Sequence, residues 1–188
     1  MIHVAFIRAI NVGGRAVVKM TELKTAFERA GCRNVRTFIA SGNVVFEAPA
    51  RLPAALRTRI AKELAAVCGK EPGVCYRTLD ELEALIAAAP FGKLVADTSL
   101  KLYVAFMDRV PATVPKLPIV VQKELVEISS VRAADMLIVS RRKTNGMYGF
   151  PNACVEELGV MATTRNWNTV TRVAAFAANS NGRQEAGR

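Results

Sequence analysis

The first 78 residues alternate short β-branched runs with segments of helical period, in the order βαββαβ. Gly31 and Gly69 follow the two helical segments as stop signals. The predicted elements are a strand at 2–10, a helix at 21–30, strands at 35–39 and 44–46, a helix from Pro53 to 67 and a strand at 74–79. This order is that of a ferredoxin-like split βαβ module, an antiparallel sheet with helices on one face. Residues 4–7 are all apolar, so we expect the sheet to be buried on both faces.

The second half repeats strand, hairpin and helix in that order, which predicts a second ferredoxin-like module. Asp80 and Glu83 form a candidate capping box for a linking helix that Pro90 closes. The further elements are strands at 102–107, 125–129 and 136–140, a short helix at 151–158 and a final helix at 166–178. We therefore predict an α+β chain with mainly antiparallel sheet, packed into one compact body. Its predicted parts are a basic module at 1–78, a second module at 79–178 and a disordered tail at 179–188.

The formal charge of +10 is unevenly distributed along the chain. Residues 1–78 hold 13 Lys and Arg against 5 Asp and Glu, whereas residues 79–188 hold 13 against 11. A basic first module favours an anionic partner such as nucleic acid, a nucleotide or a phosphorylated metabolite.

The reactive side chains exclude several classes of site. Four cysteines lack CxxC spacing and the chain has one histidine, His3, so we expect reduced thiols and no metal site. No Ser-His-Asp or Cys-His arrangement is recognisable, which argues against a hydrolytic triad. The sequence leaves open which cofactor, if any, the protein uses and whether it is an enzyme.

Apolar stretches in the chain are strand-sized, far below the roughly 20 residues of a membrane span. The N-terminus enters an apolar run without a basic leader or a small-residue cleavage site. We expect a cytoplasmic protein without a membrane partner.

One loop suggests a binding site. The string Arg8-Ala-Ile-Asn11-Val-Gly13-Gly14-Arg15 leaves the first strand and runs through glycines toward a helix, and backbone N–H groups in such loops can bind anions. It matches neither a P-loop nor a dinucleotide-binding fingerprint. Glycines that only permit positive φ are the structural alternative.

A second loop should lie beside the first. In a split βαβ sheet the first and third strands are antiparallel neighbours, so the turn Ser41-Gly42-Asn43 should adjoin Asn11 and Gly13. A pocket lined by Arg8, Asn11, Ser41 and Asn43 would suit a phosphate or a carboxylate. Ser-Gly-Asn is also an ordinary tight turn.

Four strings resemble the signatures of the domain-of-unknown-function 1697 family. They are Arg8-x-Ile-Asn11-Val-Gly13-Gly14, Lys19-Met20, Ser41-Gly42-Asn43-Val-Val-Phe46 and Thr163-Thr164-Arg165-Asn166-Trp167-Asn168-Thr169-Val170. The resemblance implies a bacterial-type cytosolic protein with duplicated ferredoxin-like organisation, and no established activity.

Within the last string, Arg165 and Asn166 are expected at a helix start that would favour anions, with Thr163 or Thr164 as the N-cap. The predicted ligand-binding residues are therefore Arg8, Asn11, Gly13, Gly14, Ser41, Gly42, Asn43, Arg165 and Asn166.

Three functions remain open on the sequence. The first is binding of a small phosphorylated or carboxylated ligand at these loops. The second is nucleic-acid binding through the basic module, although the third strand lacks the aromatic pattern of RNA-recognition motifs. The third is an interaction module that associates through edge strands, of unknown oligomeric state.

Overall fold

The computed structural model describes residues 1–11, 18–114, 116–149, 155 and 159–179. These residues form a mixed α/β chain that divides into two units. The first unit is Met1–Glu83 with the described residues from Arg172 on, and the second is Ala84–Thr171. One antiparallel sheet of 4 strands and one of 5 strands are present. Among the described helices, none has the length and apolar character needed to cross a bilayer.

The first unit contains the predicted βαββαβ order. Its elements are β1 (Ile2–Ile7), α1 (Met20–Ala30), β2 (Arg33–Phe38), β3 (Asn43–Glu47), α2 (Ala54–Cys68) and β4 (Val74–Thr78). The strands lie in the order β2-β3-β1-β4, and every neighbouring pair is antiparallel. The helix α3 (Leu79–Ala87) follows and crosses the boundary between the two units.

Helix α1 forms because its apolar residues recur on one face. Leu23 and Phe27 are fully buried on that face, and both belong to one core cluster with Phe46 of β3. Burying a side chain of this size stabilises the fold by about 1.5–3 kcal/mol. The helix ends at Gly31, whose φ of 99° is left-handed and whose N–H bonds to the Glu28 carbonyl.

Strand β1 is buried on both of its faces. Ala5 and Ile7 belong to the core cluster that includes the helices, while Val4 and Phe6, which alternate with them, are also 0% exposed. The sequence expectation of a sheet covered on both sides is therefore met for this strand.

The second unit contains the predicted strand and hairpin together with two strands that the sequence analysis missed. Its elements are β5 (Leu100–Met107), β6 (Ile119–Val121), β7 (Val126–Arg132), β8 (Asp135–Arg141), β9 (Ala162–Asn166) and the first residues of α4 (Trp167–Ala178). The strand order is β6-β7-β8-β5-β9. The pairing β7-β8-β5-β9 repeats the antiparallel order β2-β3-β1-β4. The predicted helix at 151–158 lies almost wholly outside the described residues, as does the tail from residue 180.

Two predicted helix N-caps are wrong. The capping box of α3 is formed by Thr78 and Glu81 instead of Asp80 and Glu83, because β4 ends at Thr78 and makes it the N-cap. The Thr78 N–H donates to Glu81 Oε2 at 2.7 Å, and the Glu81 N–H donates to Thr78 Oγ1 at 3.1 Å. The predicted N-cap at Thr163 or Thr164 lies inside β9, where pairing with β5 supplies the backbone hydrogen bonds.

The last turns of α4 belong to the first unit and are held there by Arg36 of β2. The Arg36 guanidinium donates to the carbonyl oxygens of Phe176, Ala177 and Asn179 at 3.1, 3.2 and 2.8 Å. It also lies 4.8 Å from the Phe176 ring centroid, and that ring packs against Phe38. A cation on the free carbonyls of a helix C-terminus is favourable, so Arg36 fixes this end of α4.

Candidate functional site

The sheet register brings the β1–α1 and β2–β3 loops to the same end of the first sheet. Phe6 of β1 pairs with Asn43 at the start of β3, and the Ile7 N–H donates to the Gly42 carbonyl at 2.8 Å. The side chain of Asn11 then reaches across to the second loop, with Nδ2 3.3 Å from the Ala40 carbonyl oxygen. The two loops therefore meet where antiparallel pairing requires.

Asn11 also closes its own loop. Its Oδ1 accepts the Val18 N–H at 2.8 Å, and its Nδ2 donates to the Val18 carbonyl at 3.1 Å. A single side-chain amide thus bonds both backbone groups of Val18, two residues before α1 begins. Asn11 fixes the ends of the loop relative to each other.

Asn43 has a different environment from the one expected of a ligand donor. Its side chain is 0% exposed, and Nδ2 donates to the Phe38 carbonyl at 3.2 Å and to Ser41 Oγ at 2.8 Å. Both amide hydrogens can be accounted for inside the turn. Asn43 therefore positions the turn, while Ser41 is half-buried at its tip.

Three of the seven described non-glycine residues with a left-handed backbone lie at this end of the sheet. Ala9, Asn11 and Ile39 have φ angles of 55°, 58° and 47°, in the left-handed region that non-glycine residues rarely adopt. Gly42 has a φ of 74°, and a Cβ on it would lie 3.1 Å from the Ile7 carbonyl oxygen, so glycine is required there. Such strained residues cluster at ligand sites.

Arg8 connects these loops to a third one. Its N–H donates to the Gly73 carbonyl at 2.8 Å, which places the α2–β4 loop beside the end of β1. The Arg8 side chain is half-buried, and Lys70 in the third loop is exposed. The predicted members Gly13 and Gly14 lie outside the described residues.

Arg165 and Asn166 belong to the second unit, where each has hydrogen-bond partners. Arg165 lies in β9, and its Nη1 donates to Thr163 Oγ1 and to the Thr164 carbonyl, both at 2.9 Å. Asn166 precedes α4, and its Oδ1 accepts the Asn168 N–H at 2.9 Å. Asn166 is the last residue of β9 and directly precedes α4, as expected of a residue at a helix start, whereas Arg165 lies within the strand.

Comparison with known proteins gives the family. A family model described as "Protein of unknown function (DUF1697)" matches residues 1–132, more than half of the chain. The chain belongs to the DUF1697 family. Its fold is similar to the solved structure of the conserved bacterial protein SP0830 from Streptococcus pneumoniae, with a TM-score of 0.57 at 16% identity. That similarity covers 94% of this chain and 98% of that chain, and at this identity it shows the fold alone. None of the curated proteins compared is significantly similar.

The histidine of this DUF1697 protein lies in the core. His3 is 2% exposed, its Nε2 is 2.9 Å from the Pro49 carbonyl oxygen, and its ring stacks on Phe46 at 5.5 Å. Burial lowers the pKa of His3 below its ordinary value, so the ring is neutral at physiological pH.

The cysteines of this DUF1697 protein that the structure describes are not in disulfide bonds. They are Cys32, Cys68 and Cys75, and Cys154 lies outside the described residues. Burial raises the pKa of Cys32 to about 11, which keeps its thiol protonated at neutral pH. Within the described ranges, no three His, Cys, Asp or Glu side chains are grouped as metal ligands.

Among its described residues, the loop cluster holds the Arg8 guanidinium and the Ser41 hydroxyl, and the adjoining α2–β4 loop adds the side chains of Lys70 and Glu71. Ala9, Ile39 and Val18 are further parts of the cluster that the sequence does not predict. Ala9 and Ile39 have a left-handed backbone, and Val18 has backbone contacts to Asn11. Tertiary packing produces these features, and Ala, Ile and Val carry no local sequence signal for them.

Proposed function

We propose that this DUF1697 protein binds a small phosphorylated or carboxylated ligand at the loop end of the first sheet, with Arg8 as its cation. The observation that carries the proposal is the gathering of three strained non-glycine residues, Ala9, Asn11 and Ile39, in two loops joined by the Asn11 amide. Each such residue costs on the order of 1–3 kcal/mol, and strain of this kind persists where a binding site requires it.

The charge and topology around the loops agree with an anionic ligand. The first 78 residues carry an excess of basic side chains, and Arg8 and Lys70 lie in or beside the loops that meet at this end. The βαββαβ order with strand order β2-β3-β1-β4 supports a ferredoxin-like first module. The matching order β7-β8-β5-β9 supports a related second module. We also propose that the protein acts in the cytoplasm.

Nucleic-acid recognition on the sheet face of the first module is a weaker candidate. RNA-recognition motifs stack bases on aromatic side chains of an exposed sheet face. In β1 and β3 of this chain, Val4, Phe6 and Val45 alternate with the helix-facing residues and are at most 1% exposed. That face is therefore not accessible to bases.

The test is a thermal-shift screen against nucleotides, sugar phosphates and carboxylates, followed by calorimetric titration of the best ligand. Arg8→Ala should weaken binding by about 1.5–3 kcal/mol, the value of a hydrogen bond to a charged group, and leave a folded protein. Arg29→Ala, which removes an exposed arginine from α1, is the matched control and should bind normally.

Two outcomes would contradict the proposal. If Arg8→Ala lowers stability but leaves affinity for the best ligand unchanged, Arg8 is a structural residue. If Arg8→Ala and Arg29→Ala weaken binding equally, the ligand responds to net charge and no site exists at these loops.

A further inference from the structure

A small hairpin tip follows β8 in the second unit. The strand direction continues through Arg142, which forms an antiparallel bridge with Tyr148, and the Lys143 N–H donates to the Met147 carbonyl at 2.7 Å. The Arg142 N–H donates to the Ser99 carbonyl at 2.7 Å, so the tip lies beside the start of β5. Backbone bonds on both sides give this segment a defined shape.

Cationic side chains concentrate at this tip. Lys101 lies at the start of β5, and Arg141, Arg142 and Lys143 follow one another at the end of β8, so four cations share one end of the sheet. Of the described acidic residues, two lie nearby. Glu124 pairs with Lys143 at 2.8 Å, and Asp97 accepts the N–H groups of Ser99 and Leu100. Among these described side chains, positive charge is in excess by two. We call Lys101, Arg141, Arg142, Lys143 and Tyr148 the basic tip.

An aromatic ring lies within the basic tip. The Lys101 ammonium is 5.3 Å from the Tyr148 ring centroid, and Arg142 is directly opposite Tyr148 in the bridge. The Tyr148 hydroxyl donates to the Thr98 carbonyl at 2.7 Å, which fixes the ring, and the residue is half-buried. A fixed ring flanked by flexible cations is the arrangement that proteins use to bind single-stranded nucleic acid.

We propose that the basic tip binds single-stranded nucleic acid. Lys101 and Arg142 contact successive phosphates, and a base stacks on Tyr148 after the flexible Lys101 side chain moves from the ring to a phosphate. This surface is in the second unit, so it does not depend on the small-ligand site of the first. It also differs from the expectation from charge counting, which assigned an anionic partner to residues 1–78. Counting charges along the chain does not show that the cations at 101 and 141–143 meet at one sheet end.

The experiment measures fluorescence anisotropy of a labelled oligouridylate at increasing KCl. For the intact protein, log affinity should fall linearly with log salt. The double variant Lys101→Gln/Arg142→Gln should bind more weakly and reduce that slope by about 1.4, the value for two lost contacts to a single strand. Tyr148→Leu should weaken binding on the order of tenfold, whereas Tyr148→Phe, which keeps the ring and loses only the hydroxyl contact to Thr98, should weaken it less.

The matched control is Lys93→Gln/Lys116→Gln, which removes the same charge from exposed positions of the same unit. It should retain both affinity and slope. Arg142 Nε donates to the Gly146 carbonyl at 3.0 Å, so the single variant Lys101→Gln, which leaves that bond intact, is measured too and should reduce the slope by about half as much.

Three results would overturn the proposal. Equal losses in the two double variants would show attraction by net charge alone. Unchanged binding in Tyr148→Leu would show that no base stacks there. Polyglutamate competing as well as the oligonucleotide would show a surface for acidic chains in general.

Discussion

Asn11→Ala should loosen the candidate site without unfolding the protein. The substitution removes two good hydrogen bonds to Val18, at 2.8 and 3.1 Å, and a longer one of 3.3 Å to Ala40. Each good bond contributes about 1 kcal/mol net, and alanine in a left-handed conformation costs roughly 1–2 kcal/mol more. The sum is about 3–4 kcal/mol, confined to the loop if the rest of the sheet retains its pairing.

Two further variants separate these contributions. Asn11→Gly also loses the hydrogen bonds but adopts the φ of 58° without strain, so it should be less destabilising than alanine by about 1 kcal/mol. Asn11→Asp keeps an acceptor for the Val18 N–H and loses the donor to the carbonyls of Val18 and Ala40.

The assay is hydrogen exchange at the Val18 amide, with thermal denaturation measured in parallel. Exchange of this amide should accelerate most in Asn11→Ala, less in Asn11→Gly and least in Asn11→Asp, whose carboxylate still accepts it. Equal protection of Val18 in all three variants would refute the conclusion that the Asn11 side chain closes the loop.

Three further predictions test other parts of the fold. Gly149→Ala would place a Cβ against the Glu124 carbonyl oxygen and should destabilise the protein more than Gly69→Ala, which has open space around it and should cost only its left-handed φ, about 1–2 kcal/mol. Equal losses in both variants would refute the packing argument. Arg36→Met should release the end of α4 and accelerate amide exchange there by at least tenfold, the factor expected if only one charge-assisted hydrogen bond were lost. Unchanged exchange would contradict the role of Arg36. Burial lowers the pKa of His3 in the folded protein, so below about pH 6.5 the histidine takes up a proton on unfolding. The free energy of unfolding should therefore fall as the pH is lowered from about 6.5 toward the folded-state pKa. Melting curves of His3→Gln should show a smaller fall over the same pH range.

The elements of the first unit follow from local sequence signals. Helix α1 combines apolar residues at helical spacing with Gly31, and the β2–β3 hairpin combines a turn that contains Gly42 with the apolar run of β3. These signals are local because the spacing of apolar residues matches the geometry of the element that contains them. From the predicted strand order it followed that Asn11 should lie near residues 41–43, and the Asn11–Ala40 bond agrees with that placement.

Only the tertiary structure decided the roles of the remaining residues. Strand β9, Ala162–Asn166, is polar and has no alternating pattern. It is a strand because β5, far along the chain, supplies its hydrogen-bond partners. Arg36 has no local sign of being a helix cap, because the carbonyls that it bonds are about 140 residues away. Asn43 was predicted as a ligand donor, and its burial shows that its amide closes a turn. Side-chain partners of this kind depend on where distant segments pack, which the spacing of residues along a chain does not encode.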